Sequence, residues 1–494
     1  MAESKNNVNT PSRAYNDMQA RFALCEALMG GTLVMRAHGE TYLPQFSKEL
    51  DERYTTRVDN SVLFEAFKNA VDSLSQRPFG ESVTLSETAP QFYKDIALDV
   101  DLSGTSLTTF ARDCLRDVLV YGKCHILVDF PNTRELEERL QRTLRLSDEK
   151  AFKVRPYFVR ISPADVIGWK GSRFAGVEEL ERVRFREFTV EQDPSNEWSE
   201  VETNRVVVWD KSTIVTYVQR LDSNKNEIEW VPESSAENSL GAVPIVTIYA
   251  NRESLLKSYP PMRGLADLNQ KHWRNSSDQD TIETVNRVPL LALIGFSESD
   301  VGSVAIGPYK VISAKSANAE VKIVETTGKA VEVGRKSLDK LEMQMQALTM
   351  MPLIQRPGNP TATGLAIDAA REVSDLEAYV MLLEKGLGEA LDIARQWAKQ
   401  AGAAPDVSVS QDFGPLPTAD DLKSLQWDLE HNLITAQTYL EERKRLGGYT
   451  DEFVVGDELE ALELAEGDTG DVDDMQRIED EETDELEEEE SATA

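Results

Sequence analysis

Cys124 and His125 are neighbours in the chain and make the sequence's nearest approach to a nucleophile and its base. A histidine within hydrogen-bond reach would draw off the thiol proton and leave a reactive thiolate. The pair stands, however, in the apolar run Cys124–Phe130 (CHILVDF), which reads as a buried strand. Successive side chains of a strand point to opposite faces, so no dyad is expected there. Asp99 with Asp101, and Asp278 with Asp280, could each offer a divalent cation two carboxylates. In a chain with 87 acidic residues such spacings arise by chance, and solvated faces are the simpler reading. The four histidines, His38, His125, His272 and His431, are scattered and form no HExxH pair. There is no GxxxxGK[ST] phosphate loop, no GxGxxG turn and no GxSxG elbow. We therefore expect no catalytic, metal or cofactor residues and no enzyme. The strongest enzymatic alternative is the Cys124 thiol or an unrecognised carboxylate pair.

Charge is the next constraint. Lysine and arginine number 53 against 87 acidic residues, a net −34. The stretch from Asp451 to Ala494 holds 21 acidic residues and one arginine, so it carries −20 and the remaining body −14. An acidic body argues against tight wrapping of nucleic acid, which needs clustered lysine and arginine to release phosphate counterions. The pattern Gly334-Arg335-Lys336 with Lys340 does gather positive charge on one predicted helix. Pairing with Asp339 and Glu342, within the helix or between subunits, is the alternative, and the sequence leaves both open. Cys25, Cys114 and Cys124 are too few and too scattered for a disulfide framework or a zinc cluster. With a polar N-terminus and no run of 18 apolar residues, a soluble intracellular product in a reducing compartment is expected.

The elements follow from periodicity. Helices are predicted over residues 14–29, Asn60–Ser75 and Ser106–Tyr121, the last stopped by Gly122. Residues 132–150 form a charged helical excursion, read as a solvated hairpin, and residues 155–250 are strand-rich, giving an α+β domain of about 250 residues. Tyr259-Pro260-Pro261 then opens a helix from Met262 to about Thr284, roughly 34 Å long. Its Gln270–Thr281 stretch is polar on nearly every face, so it is expected to bridge domains or meet neighbours rather than enter its own chain's core. A small β module over 288–325 follows, then a helix over 329–350 with Leu338, Leu341, Met345 and Leu348 on one stripe. Two helices thus bracket one β module, like a stalk with a tip. Residues 351–359 carry two prolines and a glycine and stay irregular. A long helix to about Gln400 repeats Leu376, Val380, Leu383, Leu387, Ala390, Ala394 and Trp397, a seam for packing on other helices. Gly386 and Gly388 mark a kink or a close contact within it. A strand (Val407–Phe413) and helices over 419–430 and 435–445 complete the folded part, and residues 478–490 are expected to be disordered by self-repulsion.

In this order of parts the chain resembles the portal (head-to-tail connector) proteins of tailed bacteriophages. Local text supports the resemblance: Tyr42-Leu43-Pro44, the run GKCHILVD (residues 122–129), Arg155-Pro156-Tyr157, PADVIGW (163–169), PMRGLADLN (261–269), Arg274–Asp278 followed by Val288-Pro289-Leu290, and Thr361-Ala362-Thr363. The resemblance implies a helix-rich α+β subunit: an N-terminal α/β wing over 1–260, a stem helix over 261–286, a β-containing clip over 287–328, a second stem helix over 329–350, a tunnel loop over 351–359, a long kinked helix and wing strand over 360–414, a helical crown over 415–465 and an acidic tail over 466–494. It also implies a ring, usually of twelve subunits, at one capsid vertex of the virion, made in the host bacterial cytoplasm. Such a ring would nucleate head assembly with the major capsid protein, dock the terminase, and then hold the head-completion adaptor and tail. Double-stranded viral DNA would pass through its channel without sequence specificity. Carried onto this sequence, Gln355, Arg356 and Asn359 would face the lumen, and Arg335, Lys336 and Lys340 could line it from the stem. Leu291, Ile294, Phe296, Tyr309, Lys310 and Lys315 would meet the terminase and later the adaptor. The rival of another class is an oligomeric scaffold or adaptor with no DNA path.

Overall fold

A computed structural model describes residues 7–193, 196–221, 227–287, 290–294, 320–324, 329–348, 362–410, 419–431, 433–445, 455–456 and 458–459. They fall in two compact units, Met1–Gln411 and Asp412–Ala494. The first opens with α1 (Arg13–Met29), whose Ser12 hydroxyl accepts the Tyr15 N–H, followed by α2 (Gly31–Ala37) and α3 (Asp51–Asn60). Sequence periodicity predicted one helix from Asn60; instead α3 ends there, residues 61–65 are non-helical, and α4 runs Ala66–Gln76. Leu63 still reaches the core, but Phe64 stays partly exposed. Next come β1 (Thr84–Leu85), α5 (Gln91–Leu98) and α6 (Leu107–Tyr121). Gly122 ends α6 in the left-handed conformation (φ 76°), and a Cβ there would lie 2.4 Å from the Tyr259 carbonyl oxygen. Only glycine serves this turn.

The turn feeds β2 (Lys123–Asp129). Beyond the charged excursion, now two short helices α7 (Thr133–Leu140) and α8 (Leu146–Ala151), lie β3 (Tyr157–Ile161), β4 (Gly168–Phe174), β5 (Val177–Gln192), β6 (Glu200–Asp210), β7 (Thr213–Leu221), β8 (Glu227–Glu237), β9 (Ile245–Tyr249), β10 (Arg252–Ser254) and β11 (Lys257–Ser258). They make two main antiparallel sheets, β3-β2-β9 and the meander β4-β5-β6-β7-β8. Strand alternation explains the layering. In β6, Val206 and Val208 pack on Tyr15, Met18 and Phe22 of α1, while Val207 and Trp209 join Leu127 and Ile161 of the three-stranded sheet.

The chain then enters α9 (Arg263–Arg287), β12 (Leu290–Ile294), β13 (Glu320–Val324), α10 (Lys329–Leu348), α11 (Ala362–Trp397) and β14 (Val407–Ser408), which pairs with β1. The seam of α11 is buried as its spacing predicts, but it rests on β2 and β9 as well as on α6. The helix is continuous. Of the two glycines, Gly386 makes the close contact: a Cβ there would sit 2.3 Å from Ile248 Cγ1, whereas Gly388 faces open space. The second unit contains α12 (Ala419–Glu430) and α13 (Ala436–Arg445), with Leu440 buried and Trp427 stacked on His431. No described helix is long and apolar enough to cross a membrane.

Candidate functional site

β12 and β13 form an antiparallel ribbon in which Leu291 faces Ile323 and Ile294 faces Glu320. Helices α9 and α10 lead into and out of it and lie side by side, antiparallel. Three contacts fix their register: His272 Nε2 to Glu342 Oε1 at 3.2 Å, the Gln279 amide donating to the Val331 carbonyl at 3.0 Å, and Arg335 Nε donating to Glu283 at 3.0 Å. Gly334 permits this approach, since a Cβ would overlap the Gln279 side chain. On α10, Leu341 and Met345 are buried against the pair, two members of the stripe read from the sequence.

The polar stretch of α9 departs from expectation. Asn269, His272, Trp273, Ser277 and Gln279 are all buried within this chain. Asn269, Ser277, Gln279 and the Nε2 of His272 find intrachain partners instead of neighbours or lumen, as buried polar groups do, while His272 Nδ1 and Trp273 Nε1 are buried without a hydrogen-bond partner among the described residues. Asn269 accepts the Phe67 N–H at 3.0 Å and donates to the Phe64 carbonyl at 2.8 Å. It thereby caps α4, whose own cap residue Glu65 supplies no side-chain bond. Asn269→Ala is expected to cost about 2 kcal/mol by removing both bonds and exposing a helix start. Urea unfolding checks this, and a loss below about 0.5 kcal/mol would contradict the cap's role.

Arg274 donates to the Tyr42 carbonyl at 2.9 Å, tying in the Tyr42-Leu43-Pro44 segment. Ser277 sits 2.9 Å from the Ser61 hydroxyl, beside Arg57 of α3. Arg57 is buried and makes two 2.8 Å bonds to the Glu49 carboxylate, with a third to the Pro44 carbonyl at 2.9 Å. The guanidinium lies 4.3 Å from the Phe46 ring centre and holds the Glu49 carboxyl below its ordinary range. Sequence reading missed this cluster, because α3 has no strong apolar stripe and Arg57 looked like one charge among many.

The basic residues of α10 sort differently from the partners expected. Arg335 pairs with Glu283 of α9, and Lys336 pairs with Glu332 one turn back at 2.7 Å. Neither uses Asp339 or Glu342, since Glu342 is taken by His272. Lys340 is exposed and makes no ion pair among the described residues. Gln355, Arg356, Asn359, Phe296, Tyr309, Lys310 and Lys315 lie outside the described residues.

Cys124 and His125 do part company as strand geometry requires. The thiol lies 3.9 Å from Asp117 of α6, while the His125 ring meets Thr247 of β9 at 2.9 Å. Burial raises the thiol well above its ordinary value and, with the charge of Lys123, pushes the imidazole well below its own. Neither is poised for chemistry. Burial lifts Asp117 to about 6, opposed by Arg160 at 2.7 Å. Asp99 and Asp101 are spent on their own loop: Asp99 accepts from Lys153 and the Gly104 N–H, and Asp101 from Ser103 and Thr105. Two residues apart on a helix, Asp278 and Asp280 lie about 200° apart and share no site. No group of three metal-ligating side chains occurs among the described residues.

A family model described as a domain of unknown function, DUF4055, matches residues 261–398, the stretch from α9 to the end of α11. No curated protein matches. Among solved structures, the neck of an empty gene transfer agent particle computed with C6 symmetry is similar at 10% identity and a TM-score of 0.40, over 84% of this chain and 98% of that one. The neck of a native gene transfer agent particle computed with C12 symmetry matches at 10% identity and 0.36, over 77% and 89%. The virion of the native particle matches at 10% and 0.34, over 85% and 99%.

Proposed function

We propose that this chain is the subunit of a portal ring at one vertex of a phage-like capsid. The ring is a structural channel: it starts head assembly, docks the packaging motor, passes double-stranded DNA, and then holds the adaptor and tail. The observation that carries this reading is the antiparallel α9–α10 pair leading into and out of one β ribbon, between a mixed α/β body and a long helix. A stalk with a tip gives each subunit an elongated leg that can be repeated around an axis. The net charge supports the reading too. A body at −14 repels phosphate rather than gripping it, as a conduit requires. The clip over 287–328 would meet the motor and adaptor, and Gln355, Arg356 and Asn359 would face the bore.

Mass photometry and negative-stain imaging of the purified protein test the proposal. The expected result is a closed ring of about a dozen subunits with an axial hole, cyclic as a head-to-tail interface that closes must be. A monomer, a dimer or a solid bundle would overturn it, and a bundle would favour the scaffold alternative.

A further inference from the structure

Strand β5 is 16 residues long, but its neighbour β4 covers only part of it. β4 pairs with Val177–Arg184, and the Asp165 carbonyl then accepts the Arg186 N–H at 2.9 Å. Beyond that point no described strand lies beside Glu187–Gln192 on this side, while β6 continues to pair along the other. The Arg186 bond also fixes which way the backbone faces. In an antiparallel strand the N–H and C=O groups of every second residue point to the same side. Phe188, Val190 and Gln192 therefore share the orientation of Arg186 and turn these groups to the open edge. The Asp193 N–H, one residue out of phase, bonds across to the Ser199 carbonyl at 2.8 Å, as this assignment requires. Proteins guard such edges with lysine, proline or a bulge. Glu187–Gln192 has none of the three.

The side chains along the edge differ between the two faces of the sheet. On one face Phe188 stands opposite Asn204, whose amide donates to Gln219 at 2.7 Å, and Gln219 stands opposite Trp230. These four, with Asn9 and Arg186 among others, line a cavity of 170 Å³. Phe188 is 54% exposed and Val190 64%. The other face carries Glu187 and Glu191, both exposed. Glu187 joins no ion pair among the described residues, and Glu191 meets Arg205, which Glu233 also holds. From Glu187 to Asn204 the sequence has six acidic residues and no basic one.

We propose that the open edge of β5 at Phe188–Gln192 takes an extended segment of a partner protein as an added strand, its apolar side chains alternating with lysine or arginine. A bare row of N–H and C=O groups calls for an extended backbone, whose main-chain bonds supply affinity. Alternation then puts every second side chain of the guest over Phe188, Val190 and the cavity, where apolar groups fit. The side chains between them fall beside Glu187 and Glu191, where cations fit.

Two fluorescein-labelled peptides of one composition test this by anisotropy against the full-length protein. The probe is Lys-Val-Lys-Val-Lys-Val-Lys, and the control groups the same residues as Lys-Lys-Val-Val-Val-Lys-Lys. The probe should bind and the control should bind much more weakly, and amide exchange in residues 186–192 should slow when the probe is added. Val190→Pro removes an edge-facing N–H without touching the β6 ladder, and Val190→Lys sets a guard lysine on the edge. Each should weaken probe binding by about tenfold or more. Should the proline variant fail to fold, the lysine variant decides alone. Equal binding of probe and control would reduce the effect to charge attraction and overturn the added strand. Absence of probe binding, or binding unchanged in the variants, would overturn it too. An oligomer that falls apart on Val190→Lys, read by mass photometry, would make a second copy the occupant of the edge and likewise overturn the proposal.

Discussion

Lys123→Met is expected to make the protein more stable at pH 7, by about 2–3 kcal/mol, an unusual direction for a core substitution. Lys123 opens β2 and is fully buried, with no carboxylate beside it among the described residues. Its ammonium donates to the Leu256 carbonyl at 2.6 Å and lies 5.3 Å from the centre of the Trp169 ring. Burial pulls its pKa down from 10.5 to about 7. That depression amounts to roughly 4–5 kcal/mol at about 1.4 kcal/mol per unit, and methionine fills similar space without it. Losing the bond to Leu256 offsets about 1–2 kcal/mol of the gain. The sign with pH follows from proton counts. Between pH 7 and the unfolded value the unfolded chain holds a proton that the folded chain lacks, so Lys123 adds stability as pH rises there and adds nothing further below pH 7. The variant's advantage should therefore shrink by roughly 1.4 kcal/mol per pH unit above 7 and nearly vanish by pH 9. Urea unfolding of both proteins at pH 6, 7, 8 and 9 measures it. A constant gap, or a wild type more stable at pH 7, would show that the amine is not desolvated.

Arg57→Ala acts in the opposite direction. Its partner Glu49 keeps only 9% of its side chain exposed. Removing the guanidinium leaves that carboxylate buried without its charge partner, a change that typically costs about 3–5 kcal/mol. The Pro44 carbonyl and the Ser277 hydroxyl lose a donor at the same time. Because the Arg57 bonds hold Glu49 below its ordinary range, their stabilisation is present above the unfolded carboxyl pKa and fades as pH falls through the folded one. The acid limb of a pH–stability curve should therefore flatten in the variant. Glu49→Gln, which keeps shape and loses charge, should recover part of the loss when paired with Arg57→Met. Destabilisation below about 1 kcal/mol would mean that α3 is not anchored to α9 through this residue.

Local spacing determined a good deal on its own. Gly122 at the end of α6, the seam of α11, the strand run of 155–250 and the two helices around a β module all follow from side-chain period and turn chemistry. Such features depend on residues within a few positions of one another. The separation of Cys124 from His125 belongs here too, since strand alternation alone decides it. What needed the tertiary structure were the polar contacts made across long stretches of chain. Asn269 caps α4 from some 200 positions away, and Ser61 meets Ser277 from a similar distance. A polar residue reads as solvated until a specific partner is brought to it, so α9 looked like a helix without a core when Asn269, Ser277 and Gln279 are buried beside Leu265, Ala266 and Trp273 through hydrogen bonds to distant segments. Lys123 shows the same limit in reverse. Nothing in Gly122-Lys123-Cys124 says that the amine points under the β10–β11 hairpin, because the hairpin's position is set by the packing of whole sheets and not by the neighbouring letters.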